Sequence, residues 1–310
     1  MPRSPITRVL ITGGAGFVGS NLARDLIADG VEVRIFDDLS AARDRYVRGL
    51  GVDLRHGSVT DPAATRRAVK GVDAVVHLAA MSGVGPSVEH PDRDFAINVQ
   101  GTFHVLDAAR RTGVRRVVFA SSGAVLAGAR PPLHEAIVPQ VLAPYGASKL
   151  YGEAALQAFQ SVYGFTGVAL RFSNVYGPNC DHKRSVVAEF LRRAAAGKPL
   201  VIYGSGRQTR DFLHVDDVSR AVRIALRSPS SGAFQLGTGV ETSVVRLANL
   251  VRKVAGRDLS IERRPSRPGE AARNYVDPSK ARAVLRWEAR IGLPDGLAST
   301  YRWITDRRGP

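Results

Sequence analysis

Thr12-Gly13-Gly14-Ala15-Gly16-Phe17-Val18-Gly19, placed directly after the apolar run Val9-Leu10-Ile11, decides the fold. Arg8 to Thr12 reads as a short buried strand, and Phe17 to Asp29 carries helical periodicity that stops at Gly30, a residue suited to the position just past a helix end. A glycine-rich turn between such a strand and helix is a dinucleotide cradle. Gly13 permits the tight turn, Gly16 lets the backbone approach a pyrophosphate, and Gly19 lets the helix pack closely, while the first turn at Phe17 and Val18 faces the phosphates. The following strand, Glu32 to Phe36, ends at Asp37. A carboxylate there accepts from both adenosine ribose hydroxyls and repels a 2′-phosphate, which predicts NAD rather than NADP. Asp38 beside it reads first as a capping or solvated residue.

Working outward, further strands are legible at Val52 to Arg55, Ala74 to Leu78, Arg116 to Ala120 and Gly167 to Phe172, with helices at Ala63 to Val69, Phe95 to Thr112 and Tyr145 to Tyr163. Several strands are continuous apolar runs, as a sheet covered on both faces requires. The expected fold is α/β, a Rossmann-type doubly wound parallel sheet. After Asn174 prolines punctuate shorter elements, which predicts a smaller α/β substrate domain. The expected division is an NAD-binding domain over 1–174, rejoined by about 209–238, and a mainly substrate-binding region over 175–310.

The chain has 310 residues, 44% of them apolar, enough for one large core or two modest ones. Met1 to Arg8 lacks the apolar centre of a signal peptide and no stretch approaches the length of a membrane span, so the chain reads as cytoplasmic, with no membrane partner. Cys180 is the only cysteine, which excludes an intrachain disulfide and a cysteine zinc site; no metal site is expected. The net charge of +16 raises the question of nucleic acid. Arginine makes up 38 of the 44 basic residues and is scattered, with no basic run interleaved with aromatics, so an anionic small substrate is expected and nucleic acid is not.

Tyr145-Gly146-Ala147-Ser148-Lys149 lies 129 positions after Gly16. On a helix the i, i+4 spacing puts phenol and ammonium on one face, where the cation favours phenolate and brings the tyrosine, ordinarily near ~10, toward neutrality. Taken alone, such a string is as often a surface tyrosine and a solvated lysine; the glycine loop upstream argues for a proton-transfer dyad. Ser122 closes the fifth strand at the edge where ligands bind in open α/β sheets, and its hydroxyl suits a reacting oxygen.

These motifs resemble the extended short-chain dehydrogenase/reductase family, and within it the NAD-dependent nucleotide-sugar epimerases related to UDP-glucose 4-epimerase. The likeness is carried by Thr12 to Gly19, Asp37-Asp38-Leu39-Ser40, His77-Leu78-Ala79-Ala80, Asn98-Val99-Gln100-Gly101-Thr102, Tyr145 to Lys149, Arg171 to Pro178, Thr209-Arg210-Asp211-Phe212 and Arg267-Pro268-Gly269-Glu270. The resemblance implies that Tyr145 removes the proton of a sugar 4-hydroxyl while hydride passes to the nicotinamide, giving a transient 4-keto sugar that turns over and is reduced from its other face. Lys149 then holds the ribose and Ser122 bonds the 4-oxygen. Asp38, Ser58, Val59, Leu78, Ala79, Ala80, Asn98 and Phe172 fall in the implied cofactor site. Ser82, Asn174, Arg210, Arg267 and Asn274 fall in the implied substrate site, the two arginines gripping a diphosphate. The nucleotide sugar is expected to be UDP-linked, and the family implies a homodimer through the helices Phe95 to Thr112 and Tyr145 to Tyr163.

Departures narrow the reading. Dehydrating relatives carry an Asp-Glu pair after the catalytic hydroxyl, and here Gly123-Ala124 stand there, so dehydration is not expected. The usual Gly-Asp pair near the adenine is Gly57-Ser58, and the common aromatic is replaced by Leu126. Asn274 occupies a gate that is large in glucose-specific enzymes and leaves room for an N-acetyl group. Lys183 and Arg184 keep a uronate substrate open. The competing readings are a cofactor-consuming sugar dehydrogenase or reductase on the same scaffold, and a non-catalytic NAD sensor, against which the intact Ser122, Tyr145 and Lys149 argue.

Overall fold

Every run read as a strand between Arg8 and Phe172 forms one in the computed structural model, which describes residues 5–41, 44–266 and 271–306. These strands are β1 (Arg8–Thr12), β2 (Glu32–Asp37), β3 (Asp53–His56), β4 (Ala74–His77), β5 (Arg116–Ser122) and β6 (Thr166–Phe172). The chain continues through β7 (Asn174–Tyr176), β8 (Leu200–Tyr203), β9 (Thr209–Arg210) and β10 (Phe212–His214) to β11 (Gly232–Leu236), then β12 (Thr242–Ser243) and β13 (Ile261–Arg264). Seven of them make one sheet in the order β11-β6-β5-β4-β1-β2-β3, with every pairing parallel. The order reverses between β1 and β4, which places the ligand crevice at the carboxyl ends of those strands.

The helices are α1 (Phe17–Ala28), α2 (Pro62–Val69), α3 (Val84–Glu89), α4 (Pro91–Asp94), α5 (Gly101–Thr112), α6 (Pro144–Tyr163), α7 (Val186–Ala195), α8 (Val215–Arg227), α9 (Val244–Ala255), α10 (Ser279–Leu285) and α11 (Leu293–Asp306). Alternation along the strands divides the core. Val9, Ile11, Val33 and Ile35 pack against Leu22 and Leu26 of α1 and Val218 and Val222 of α8 on one face. Leu10, Val75, Val117 and Phe119 pack against Val105 and Leu106 of α5 and Leu156 of α6 on the other. Each fully buried aliphatic side chain of this kind contributes roughly 1.5–3 kcal/mol. The segment after Asn174 thus returns to the sheet: α8 lies on α1, and β11 pairs with β6 from Gly232↔Val168 to Leu236↔Phe172. A separate core of Phe190, Leu191, Ile202, Leu247 and Leu297 holds the outer segments together.

One helix differs from its expected form. Phe95 to Thr112 is not a uniform α-helix, because Phe95–Gln100 is wound as a π-turn before α5 begins at Gly101. The buried Asn98 side chain bonds Met81 and Asp94, and a Cβ on Gly101 would lie 2.6 Å from Val59 Cγ2. The extra residue per turn accommodates those fixed contacts, as π-turns near functional sites do.

Candidate active site

The three glycines of the first turn do different work. Gly13 has φ +67 and a Cβ there would lie 2.6 Å from Ala79 N; a Cβ on Gly19 would lie 2.5 Å from Gly14 Cα. Both positions close the protein on itself. A Cβ on Gly16 would meet only Gly13 O, at 3.2 Å, so this glycine faces open space at the start of α1. The helix begins there without a side-chain cap, leaving first-turn N–H groups for an anion. Phe17 contributes through its backbone, since its ring is buried against Cys180, Ala188 and Val215, and Val18 packs beside it. Burial pushes the Cys180 thiol up to about 11, an inert thiol.

Asp37 ends β2 with Oδ2 accepting from Ala15 N at 2.9 Å and Oδ1 from Leu39 N at 2.8 Å. Each oxygen retains a lone pair for a ribose hydroxyl. Burial raises its pKa, and the two backbone donors oppose that shift. Asp38 accepts from Ser40 N at 3.0 Å and also from the Ser40 hydroxyl, which is the capping role its bland reading gave. Ser58 Oγ lies 2.9 Å from Thr60 Oγ1. The Val59 side chain is core, so only its backbone is available to a ligand. Beyond β4, Leu78 N donates to Thr12 O at 3.0 Å and Ala79 N to Thr12 Oγ1 at 3.3 Å, and Ala80 follows, half-buried. A turn that a side chain would fill, an uncapped helix start and a carboxylate at the end of β2 together fit NAD.

Asn98 is buried, not solvated. Its Oδ1 accepts from Met81 N at 2.9 Å, and its Nδ2 lies within bonding distance of Asp94 Oδ1, Met81 O and Ser148 Oγ at 2.7, 3.0 and 3.3 Å. Both Nδ2 protons and one Oδ1 lone pair are taken up by protein, so the side chain fixes the loop after β4 against α6.

Ser122 is the last residue of β5, paired in register with Phe172. Its Oγ accepts from Ala124 N at 3.1 Å, and its hydroxyl is near enough to the Tyr145 phenol to lower that group's pKa. Tyr145 stands in the first turn of α6, where its N–H donates to Ser87 Oγ at 3.1 Å. Lys149, one turn on, is 4% exposed, with Nζ 5.7 Å from the centre of the Tyr145 ring and 5.0 Å from that of Phe119. The dyad expected from spacing therefore forms, but its electrostatics differ from expectation. Burial pushes the Tyr145 phenol up to about 12, with the Ser122 hydroxyl opposing and Asp94 adding to the rise. Burial likewise lowers Lys149 to about 8, against the attraction of Asp94. Desolvation dominates the shift, so the side chains alone do not bring the phenol toward neutrality. Asp94, buried at 1% exposure, escaped the sequence reading because Pro91-Asp92-Arg93-Asp94 looks like a solvated helix start.

Two residues after Phe172, the partner of Ser122 in the sheet, Asn174 joins Arg184, Tyr203, Gln208 and Arg210 in lining a cleft of about 190 Å³. Arg210 Nη1 donates to Thr209 O at 2.7 Å and Ala271 O at 2.8 Å. The adjacent Asp211 anchors this strand to the end of β11, accepting from Thr238 N at 2.9 Å and Gly239 N at 3.0 Å. Asn274 N donates to Thr209 O at 3.2 Å, next to Arg210. Lys183 Nζ donates to Ser82 Oγ at 3.0 Å, bringing two residues singled out separately into contact. Arg267 lies outside the described residues. Tyr203 and Gln208 were missed, since neither sits in a motif.

Compared with known proteins, the chain matches the NAD dependent epimerase/dehydratase family over residues 9–237. It is 35% identical to the UDP-glucose 4-epimerase of Mycolicibacterium smegmatis, over 97% of this chain and 99% of that one. The UDP-glucose 4-epimerase of Thermotoga maritima, solved with UDP-glucose, superposes with a TM-score of 0.94 at 32% identity, covering 97% of this chain and 100% of that one. The UDP-glucose 4-epimerase of Thermus thermophilus, solved with NAD, gives 0.90 at 35% identity, covering 96% and 98%. The chain belongs to the NAD dependent epimerase/dehydratase family, as an extended short-chain dehydrogenase/reductase of the nucleotide-sugar 4-epimerase type, an isomerase with NAD as cofactor.

Proposed function

We propose that this enzyme interconverts the C4 epimers of a UDP-linked hexose, UDP-glucose and UDP-galactose first and their N-acetylated counterparts as well. The observation that carries the reading is buried Lys149 with its Nζ 5.7 Å from the Tyr145 ring, one helical turn along α6, together with Ser122 at the carboxyl end of β5. NAD, when bound, would supply the hydride acceptor and donor for the sugar C4 and a cationic ring that favours phenolate. Tyr145 takes the 4-hydroxyl proton, Ser122 holds the 4-oxygen, and Lys149 holds the ribose and stabilises the phenolate. The resulting 4-keto sugar turns over, and Tyr145 returns its proton once the other face is reduced. No net redox change results. Asn174 and Arg210 in the neighbouring cleft bind the nucleotide end, joined by Arg267. Gly123-Ala124 after Ser122 offer no acid or base to expel water, which disfavours dehydration.

On this reading residues 1–174, rejoined by about 209–238, hold NAD and the rest of 175–310 mainly hold the nucleotide sugar. Phe103 and Tyr163, 44% and 48% exposed, both pack on Phe159, and with exposed Phe95 and Val162 they give apolar surface to the helices that would form a homodimer. A second reading, UDP-glucuronate epimerisation, is favoured by the Lys183–Ser82 contact and by Arg184 in the cleft, cations suited to a carboxylate.

The test is to incubate the purified protein, without added cofactor, with UDP-glucose, UDP-GlcNAc and UDP-glucuronate separately and follow sugar stereochemistry by proton NMR. Inversion at C4 in UDP-glucose is expected. Inversion of UDP-glucuronate alone selects the second reading, and three unchanged spectra overturn both.

A further inference from the structure

Glu153 follows Lys149 by four residues and Tyr145 by eight, which puts all three on one face of α6. Its carboxylate is turned toward the sheet. Arg171 Nε donates to Oε1 at 2.8 Å and Nη2 to Oε2 at 2.7 Å, and the Ser121 hydroxyl donates to Oε1. The Arg171 and Glu153 side chains are 6% and 10% exposed. Ser121 and Arg171 face each other across β5 and β6, one residue before the facing pair Ser122 and Phe172. Alongside, Gly152 presses on Phe119: a Cβ there would lie 2.2 Å from the ring Cζ, and the same ring lies under the Lys149 ammonium.

From these contacts we propose that Glu153, Arg171 and Ser121 form a positioning assembly for the reaction. The assembly clamps the helix that carries Tyr145 and Lys149 to the strand ends that carry Ser122 and Phe172. The two-pronged Arg171–Glu153 pair fixes angle as well as distance, and the Ser121 bond ties that fixed carboxylate to the residue next to Ser122. A buried ion pair of this kind adds little net stability over apolar side chains of similar volume. What it supplies is geometry, and a misplacement of about 1 Å at reacting groups costs on the order of 100-fold in rate. This inference rests on the reading of Tyr145 as the base.

The experiment compares wild type with Ser121→Ala, with the double variant Glu153→Met/Arg171→Met, and with Tyr145→Phe. Four quantities are measured: kcat and KM for C4 inversion, NAD content, melting temperature and the pH dependence of kcat. The double variant is expected to melt near the wild-type temperature, retain NAD and keep KM, while kcat falls by about tenfold or more. Because the nearby Ser122 hydroxyl opposes the rise of the phenol, moving the two apart moves the pH dependence of kcat to higher pH, a shift that simple destabilisation does not produce. Ser121→Ala shifts in the same direction by less, and decides the matter should the double variant fail to fold. A folded, NAD-loaded variant with kcat and pH profile unchanged overturns the proposal. Full activity in Tyr145→Phe overturns instead the reading of the base on which it rests.

Discussion

The ammonium of Lys149 lies 5.7 Å from the centre of the Tyr145 ring, inside the protein and, among the described residues, without a carboxylate bonded to it. A lysine held at about 8 against an ordinary 10.5 costs the folded state about 3 kcal/mol at neutral pH. The folded pKa is the lower one, so this cost is complete below pH 8 and is relieved as pH rises to 10.5. Lys149→Met should therefore stabilise NAD-free protein by roughly 1–3 kcal/mol in a denaturant melt while removing activity. Lower stability of the Met variant would mean that the ammonium is better solvated than its burial indicates.

Tyr145→Phe removes one oxygen from the same site. Turnover should fall on the order of 10²–10⁴-fold with NAD content unchanged. In wild type, the upward shift of the phenol means that kcat/KM of NAD-free enzyme reconstituted at different pH values should rise with pH through neutrality. A rate that declines from pH 6 to 8 would contradict the assignment of a phenolate base.

Two glycines three residues apart should fail differently. At Gly19 an added methyl has backbone at 2.5 Å and no room to shift, so Gly19→Ala should destabilise the fold by about 1–3 kcal/mol. At Gly16 the methyl enters the space in front of α1, and Gly16→Ala should melt close to wild type yet bind NAD at least tenfold more weakly. Calorimetric melts and NAD titration of both variants check the contrast; equal losses of stability would remove the distinction.

These contrasts indicate what sequence could and could not disclose. Gly13, Gly16, Gly19 and Asp37 were legible because each role is set by neighbours within one strand-turn-helix unit, and Ser122, Tyr145 and Lys149 because each lies at an element end or on one helix face. Asp94 and Glu153 carry no such signal, and the contacts that fix Asn98 are equally invisible in the sequence, since their partners arrive from elsewhere: Met81 and Ser148 for Asn98, Arg171 and Ser121 for Glu153. The π-turn over Phe95–Gln100 has no period of its own in six residues and follows from those contacts. The Tyr145 shift was misread because spacing reports the neighbouring charge, whereas desolvation depends on what the fold packs around it.

Asn274 tests substrate breadth. Its backbone N–H donates to Thr209 O, beside Arg210, and on the proposed reading a small side chain there leaves room at the sugar. Asn274→Tyr should abolish turnover of UDP-GlcNAc while leaving that of UDP-glucose within about threefold, an effect of pocket volume rather than chemistry. Paired kinetic assays on the two substrates measure it, and an unchanged ratio would remove Asn274 from the substrate site.

His77 gives the fold an acid-side limit. Thr12 Oγ1 lies 2.7 Å from Nδ1 and Thr102 Oγ1 lies 3.0 Å from Nε2, while Ala79 N donates to Thr12 and Thr102 donates to Asn98 O. One direction of donation satisfies the whole chain: Ala79 to Thr12 to Nδ1, then Nε2 to Thr102 to Asn98, which requires a neutral ring protonated on Nε2. A second ring proton has no acceptor there. Burial, reinforced by Lys149, pushes His77 down from 6.5 to about 3. The unfolded chain therefore binds the proton first, and stability from this group is complete above pH 6.5 and lost as pH falls toward 3. His77→Gln should be less stable than wild type at pH 7, because it breaks the chain of bonds, but the gap should narrow by about 2 kcal/mol at pH 5 because only wild type pays for protonation. Urea melts of both proteins at the two pH values measure the gap directly; a constant difference would mean that His77 titrates alike in the folded and unfolded states.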